Sequence, residues 1–479
     1  MRRSPDRLDA ILEQARRDRG RLDAAAMGPL SLTTLGIASV VGAGIFVTTG
    51  SAAAQYAGPA VVISFVLAGI VAALTALCYA ELAAMIPIAG STYSYAYAAF
   101  GSFAAWFIGW DLLLEYLFAA STVAVGWAGY AVSLLDSVGV HVPHDLAAPP
   151  FGDDAGVLNV PAILVVAATT ALLVAGARQS ARANNAMVLL KMAVLLLVVA
   201  VGVAYVTPDN WSPFVPASEG GFGDFGASGV VRAAGVVFFA YVGFDAVSTA
   251  AGEARDPQRT VPVGLMATVA ISTLLYVAVA LVLTGLVPYT QLNVSDPISR
   301  ALEAAGPGVE WLDEAVDVAA IVGLFSTVLV TFYGQTRILM RMSADGMLPG
   351  AIGRVDPRFR TPVFTTVLCG VAGAVVAGLV PIDVLGELVS IGTLLAFLLV
   401  CGGVLVLRRT HPSVERPFRV PHVEVVAGMA IAGTVALMAL LPVSTWIRLV
   451  VWLLVGLTIF FGYARRHTGE RFAELADEA

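Results

Sequence analysis

The first long apolar stretch of this chain is broken in its middle by glycine. From about Ser31 to Ala54 the sequence is long and apolar enough to cross a bilayer as a helix, yet its centre reads Val40-Val41-Gly42-Ala43-Gly44-Ile45-Phe46. Each glycine weakens a helix interior by about 1 kcal/mol and leaves the backbone bare. In lipid an unpaired N–H or C=O is expensive, so irregular backbone at that depth survives only where it lines a cavity or a ligand. Ser39, Thr48 and Thr49 flank the break, which suits a cavity better than a lipid face. Farther along, Phe238-Phe239-Ala240-Tyr241-Val242-Gly243-Phe244-Asp245 interrupts a second apolar segment in the same way. Glycines also let membrane helices pack closely. A matched pair of interrupted segments in two halves of one chain, however, is the pattern of a secondary carrier's binding site.

Composition agrees with a chain that lives in lipid. Hydrophobic residues make up 58% and charged residues 13%, with a mean hydropathy of +0.85, whereas soluble domains are nearer half apolar and a quarter charged. No basic patch is interleaved with aromatics, so nucleic acid is not an expected partner. Cys78, Cys369 and Cys401 each fall inside an apolar span, with neither a disulfide framework nor metal-ligand spacing. The N-terminal arm is charged and expected to be helical from Asp6 to Arg21, without the apolar core of a removable signal peptide. His141, His144, His411, His422 and His467 lie in loops or at span edges, which leaves no nucleophile–base or metal constellation for an intramembrane enzyme. A channel would more naturally repeat a filter element symmetrically, and a glycine-broken inverted pair with a lone lysine fits alternating access better.

Twelve spans are expected, at about 31–54, 59–86, 98–132, 158–177, 184–206, 229–252, 263–287, 313–342, 363–380, 384–407, 423–441 and 446–463. Arginines crowd the N-terminal arm and then every second loop, including Arg178, Arg255, Arg354, Arg416 and Arg465. The alternate loops carry almost none, Arg300 being the main exception. This bias puts both termini in the cytoplasm of a multi-pass plasma-membrane protein. Spans 1–5 then start inside and spans 6–10 start outside, so residues 31–206 and 229–407 form two five-helix units of opposite topology, each opening with a broken helix. Residues 1–30 form a cytoplasmic arm, 423–463 two further helices and 464–479 a cytoplasmic tail.

Lys191, Glu115 and Asp245 stand out among the charges inside the spans. Lys191 is the only lysine of the chain and lies in the apolar run Met187–Val201. A charged lysine there is costly, but a lysine can give up its proton when buried and an arginine cannot. A chain that otherwise uses only arginine thus points to a proton-exchanging role; the bland alternative is a stem that snorkels to the interface. Glu115 lies mid-span with Asp111 one turn away, and Asp245 directly follows the second break. Each could meet a cationic substrate or pair with exposed backbone. Glu81 and Glu253, near span ends, are expected in ion pairs with arginines.

These residues resemble a known family. The run Val41–Val47 is similar to the first-helix signature of amino-acid permeases. Gly109-Trp110-Asp111-Leu112-Leu113-Leu114-Glu115-Tyr116, the second break through Glu253, Asn293-Val294-Ser295-Asp296-Pro297 and Met342–Pro349 resemble the bacterial branch of the cationic amino acid transporter family, in the amino acid–polyamine–organocation superfamily. Ala344 departs from its usual basic residue. The resemblance covers about residues 28–465. It implies an all-α fold of the leucine-transporter type, with a 5+5 inverted repeat plus two helices, and proton-coupled amino-acid uptake without cofactor, metal or obligate protein partner.

Together with the physics of helix ends, the resemblance assigns the N–H groups of Gly42, Ala43 and Gly44 to a substrate carboxylate. The carbonyls near Phe239, Ala240 and Val242 are assigned to its amine. It implies that Lys191 stands in for the sodium ion of related carriers, reaching first-span carbonyls near Ser39–Gly42 and a hydroxyl of Ser326 or Thr327. Phe239 is the expected gate; Phe46 and Tyr241 are weaker candidates. Leu329 falls where the family lines its side-chain pocket, beside Glu115 and Asp245. A bulky apolar residue there leaves a long cation unpaired and favours alanine-sized neutral substrates over arginine and lysine, which remain the alternative.

Overall fold

The computed structural model describes residues 27–86, 91–152, 155–176, 181–249, 254–306 and 308–465. Helices account for 79% of it, and no β-strand occurs among the described residues. The expected helical arm from Asp6 to Arg21, and Glu253, lie outside them.

The first stretch forms α1 (Pro29–Val40) and α2 (residues 44–57), joined by an extended kink. Next come α3 (Val61–Met85), α4 (Ser91–Phe100), α5 (Ser102–Ser137), α6 (Val160–Val174), α7 (Ala181–Gly202) and α8 (Gly226–Val237). The 3-10 turn Phe238–Tyr241 and the single turn Ala246–Thr249 follow α8. Then come α9 (Pro257–Leu286), the short α10 (Pro297–Ala305), α11 (Glu310–Ala344), α12 (Val363–Leu379), α13 (Ile382–Thr410), α14 (Val423–Leu440) and α15 (Val443–Ile459).

Helix occurs within each expected range among the described residues, interrupted at Val41–Gly42 and at Val242–Asp245. Nine helices among the described residues are long and apolar enough to cross a membrane, α2 and α3 running together as one of them, while α1, α6 and α12 are apolar but shorter. The third expected span, 98–132, is in fact two helices. Gly101, at φ 89°, turns the chain between α4 and α5, a left-handed conformation that only glycine adopts cheaply.

Packing sorts the helices into two groups. One pairs α3 with α9, adding α1 and α8; the other pairs α5 with α11 and α6 with α12. Helices α13 and α14 pack on each other, α13 also along α5 and α14 against α3. The outward faces carry exposed large apolar residues such as Leu189, Leu274 and Val371, a surface that suits lipid.

Helix α15 docks on α5 through tryptophan. Trp110 Nε1 donates to Trp452 O at 2.8 Å, Trp452 Nε1 donates to Trp110 O at 3.0 Å, and their rings stack at 4.7 Å. Trp106 Nε1 donates to Gly456 O, and a Cβ on Gly456 would collide with the Trp110 ring. The motif tryptophan of α5 therefore serves assembly.

On one face, Glu81 of α3 is 1% exposed and accepts two bonds from Arg408, at 2.8 and 2.6 Å, and one from the Val420 N–H. Arg416 stands 3.6 Å away. This is the expected arginine partnership, and it ties α3 to the end of α13 and to the chain that follows.

Candidate functional site

The two breaks cross in contact at the centre of the molecule. A Cβ on Gly44 would collide with the backbone of Ala240, and a Cβ on Gly243 would lie 3.0 Å from Ser39 O. Gly243 has a φ of 101°, so glycine is required there both for conformation and for approach. These two contacts hold the interrupted segments side by side, and each glycine is where the sequence put it for that reason.

Unwinding frees backbone groups, and each has an identifiable fate. The N–H groups of Gly42, Ala43 and Gly44 open α2, where first-turn donors have no intrahelical acceptor. Among the described residues, none of them donates to another backbone carbonyl outside a helix. The carbonyl of Gly42 accepts from the Ile45 and Phe46 N–H groups, at 3.2 Å each. Thr48 Oγ1 donates to Gly44 O at 2.6 Å, and Tyr130 Oη of α5 donates to Phe46 O at 2.6 Å.

The carbonyls just before the break are taken by two side chains. Lys191 Nζ donates to Ala38 O at 2.7 Å and to Val41 O at 2.6 Å. At 3% exposure Lys191 does not snorkel to the surface; it ends inside, on the break. Tyr276 Oη of α9 lies 2.9 Å from Val40 O and 2.8 Å from Ala240 O, so one hydroxyl joins the two breaks. Sequence reasoning did not single out Tyr276. A tyrosine in an apolar run looks like packing until the partner break is beside it.

Helix α11 closes another side. A Cβ on Gly42 would lie 3.5 Å from Thr327 Cγ2, and one on Gly323 would lie 3.5 Å from Lys191 Cβ and Cδ. Thr327 therefore faces the first break, and the lysine stem runs over Gly323 toward it. Thr327 Oγ1 donates within its own helix to Gly323 O at 3.0 Å. Ser326 is buried one residue earlier, and Leu329 is buried on the same helix.

In the second break, Phe239 O accepts from the Val242 N–H at 3.1 Å, and Val242 continues in an extended conformation. The Phe239 side chain is buried. Phe46 packs edge-on against Tyr130 with centroids 5.9 Å apart. Tyr241 Oη donates to Phe65 O at 2.8 Å, which sets its ring against α3.

The acids lie together on α5 and at the second break. Glu115 is within electrostatic reach of both Asp111 and Asp245. Asp111 is fully buried, and neither of its oxygens has a hydrogen-bond partner among the described residues; Glu115 Oε2 is in the same position. Gly392 of α13 leaves room for them, since a Cβ there would lie 3.4 Å from Asp111 Oδ1. The described residues contain no cluster of His, Cys, Asp and Glu with metal-site geometry.

Comparison with known proteins places this geometry. A family described as amino acid permease matches residues 27–472. A methylthioribose transporter of Bacillus subtilis (strain 168) is 45% identical over 93% of this chain and 94% of its own length. The branched-chain amino acid permease BcaP of the same organism is 44% identical over 92% of this chain and 93% of itself. The vacuolar cationic amino acid transporter 4 of Arabidopsis thaliana is 35% identical over 81% of this chain and 64% of itself.

Proposed function

The chain belongs to the amino acid permease family of the amino acid–polyamine–organocation superfamily, a multi-pass membrane protein, and on that premise we propose that it is a proton-coupled carrier of neutral L-amino acids. The observation that carries this reading is the crossing of the two breaks at Gly44 and Ala240, with Lys191 seated on the carbonyls beside them. A zwitterion needs donors for its carboxylate and acceptors for its amine within one molecule's length. Gly42, Ala43 and Gly44 supply the first, and the carbonyls about Phe239, Ala240 and Val242 supply the second.

The architecture behind this reading is a 5+5 inverted repeat of the leucine-transporter type, with residues 31–206 and 229–407 as its halves and α14 and α15 outside it. The grouping of α1, α3, α8 and α9 apart from α5, α6, α11 and α12 supports it, because alternating access moves one such body against the other. Both termini are cytoplasmic in this proposal, and the membrane is the plasma membrane. Lys191, held by Ala38 and Val41, carries the coupling proton, with Ser326 and Thr327 lining its side of the site. Phe239 is the gate.

Leu329, Glu115 and Asp245 line the side-chain end. The buried apolar Leu329 favours a small neutral substrate such as alanine. Two relatives, a branched-chain amino acid permease and a methylthioribose transporter, add those substrates to the candidates, and the cationic amino acid transporter adds cationic amino acids.

The test is uptake of labelled L-alanine into liposomes under an inward proton gradient, with unlabelled alanine, leucine, methylthioribose and arginine as competitors. Displacement by alanine and not by arginine supports the proposal. Displacement by leucine alone moves the substrate to the branched-chain class, and displacement by arginine turns Glu115 and Asp245 into counter-charges. Methylthioribose as sole competitor removes the zwitterion argument altogether.

A further inference from the structure

The segment 292–306 covers the α2 side of the site. A Cβ on Gly50 would collide with Leu292 O, Gln55 Nε2 donates to Asn293 Oδ1 at 3.1 Å, and a Cβ on Gly129 would collide with Ser295 Oγ. The segment is thus wedged between α2 and α5. Gly50 lies six residues beyond Gly44, about 9 Å along the helix. A path to the substrate site along α2 therefore runs past this segment, with α10 behind it.

What fastens α10 is a carboxyl. Asp317 of α11, 1% exposed, accepts from Ser299 Oγ of α10 at 2.5 Å and from Ser133 Oγ of α5 at 2.8 Å. One side chain therefore bridges three elements. Its surroundings are acidic. The strongest charges acting on Asp317 are Asp313 and Asp296, and those on Asp313 are Glu303, Asp296 and Glu314. From α5 the facing titratable group is Tyr130. From α10 the one base is Arg300, which is exposed and paired with Glu303 at 3.4 Å.

Asp296 opens α10 on the wedged segment and faces the acids of α11, so in the closed form its carboxyl is more stable with a proton than without. Open the segment to water and that preference disappears. The geometry points to a proton-operated latch in which Asp317 is the clasp and Asp296 the sensor: proton uptake by Asp296 seals the α10 face of the substrate site, and proton release lets it open. The inference deepens the transport reading above and rests on its orientation, in which this face is the external one. In that frame the latch favours closure from the acidic side, a second proton-linked element besides Lys191.

Linkage gives the size and sign. Burial, with Glu303 next, raises the Asp296 carboxyl from 3.8 to about 6 in the closed form. The closed form thus holds the proton more tightly, so its advantage is present at low pH and lost as pH rises through about 6. From Asp296 alone, the closed-to-open ratio is about tenfold higher at pH 5 than at pH 8.

The experiment places spin labels at A304C on α10 and V138C at the end of α5, both exposed positions, in nanodisc-embedded protein. Inter-label distances are measured by pulsed electron paramagnetic resonance at pH 5 and pH 8. The expected result is a short-distance population that grows about tenfold, relative to the long one, on acidification. In the D296N/D317N protein the distribution is expected to be the same at both pH values. Equal wild-type distributions at the two pH values, or a double variant that switches like the wild type, overturns the latch. Ser299→Ala, which keeps both acids and cuts the α10 bridge, is expected to shift the population open at each pH, and a bridge without function would leave it unchanged. Alanine counterflow on the same samples separates the two readings. Switching without carriage of any amino acid sinks the transport proposal and leaves the latch, whereas counterflow without switching does the reverse.

Discussion

The hydroxyl of Tyr276 makes a sharp prediction because it has one proton and two acceptors. It lies 2.9 Å from Val40 O and 2.8 Å from Ala240 O, one carbonyl from each break. Tyr276→Phe keeps the ring, which packs against Phe65 and Tyr241, and removes only the donor. At least one buried carbonyl then loses its partner, at a cost of about 1–3 kcal/mol. If the hydroxyl also fixes the Ala240 carbonyl for a substrate amine, the same loss appears in affinity as about 5- to 150-fold. The assay is substrate binding by calorimetry beside denaturant unfolding of the purified protein. Tyr241→Phe is the control, since its hydroxyl bonds Phe65 O at 2.8 Å, away from the breaks. That variant should lose comparable stability with affinity changed by less than about twofold. A Tyr276→Phe protein that binds as tightly as the wild type, while being destabilised like Tyr241→Phe, would falsify the positioning role and leave Tyr276 a strut.

Other consequences can be checked in parallel. Arg408→Met strands the buried Glu81 carboxylate, with Arg416 and the Val420 N–H still near, and should destabilise by about 3 kcal/mol in thermal unfolding. The Glu81→Met/Arg408→Met pair should lose less than that, and a double variant as unstable as the single one contradicts the argument. Lys191→Met should abolish accumulation against a pH gradient while leaving counterflow measurable; retained accumulation removes Lys191 from coupling. Leu329→Ala should shift competition toward larger apolar side chains by about 10-fold, and an unchanged rank order places the side-chain pocket elsewhere.

Much of this was legible in the sequence because lipid punishes exceptions. The breaks at Gly42–Gly44 and at Gly243 announced themselves as irregular backbone in apolar runs, and they do meet. Lys191 was conspicuous as the one lysine, and its depth follows from the same rule. Positions that obey local rules stayed hidden. Tyr276 is an ordinary aromatic in an apolar helix, and only the approach of α9 to both breaks gives its hydroxyl a task. Asp317 drew no attention in the sequence, because its bridge depends on serines 184 and 18 residues away in the chain. The turn at Gly101 was missed because an apolar run of fitting length conceals a change of direction. Trp110 entered as a family signature, yet its bonds go to the last helix.

That last contact has a meaning for how the molecule is made. Trp110 emerges from the ribosome 342 residues before its partner Trp452, and the two exchange bonds in both directions. Until α15 is made, the indole face of α5 is without the helix that covers it. The reciprocal tryptophan pair can thus close only once the last helix has been made. A chain truncated before α15 leaves the Trp106 and Trp110 indoles without these acceptors.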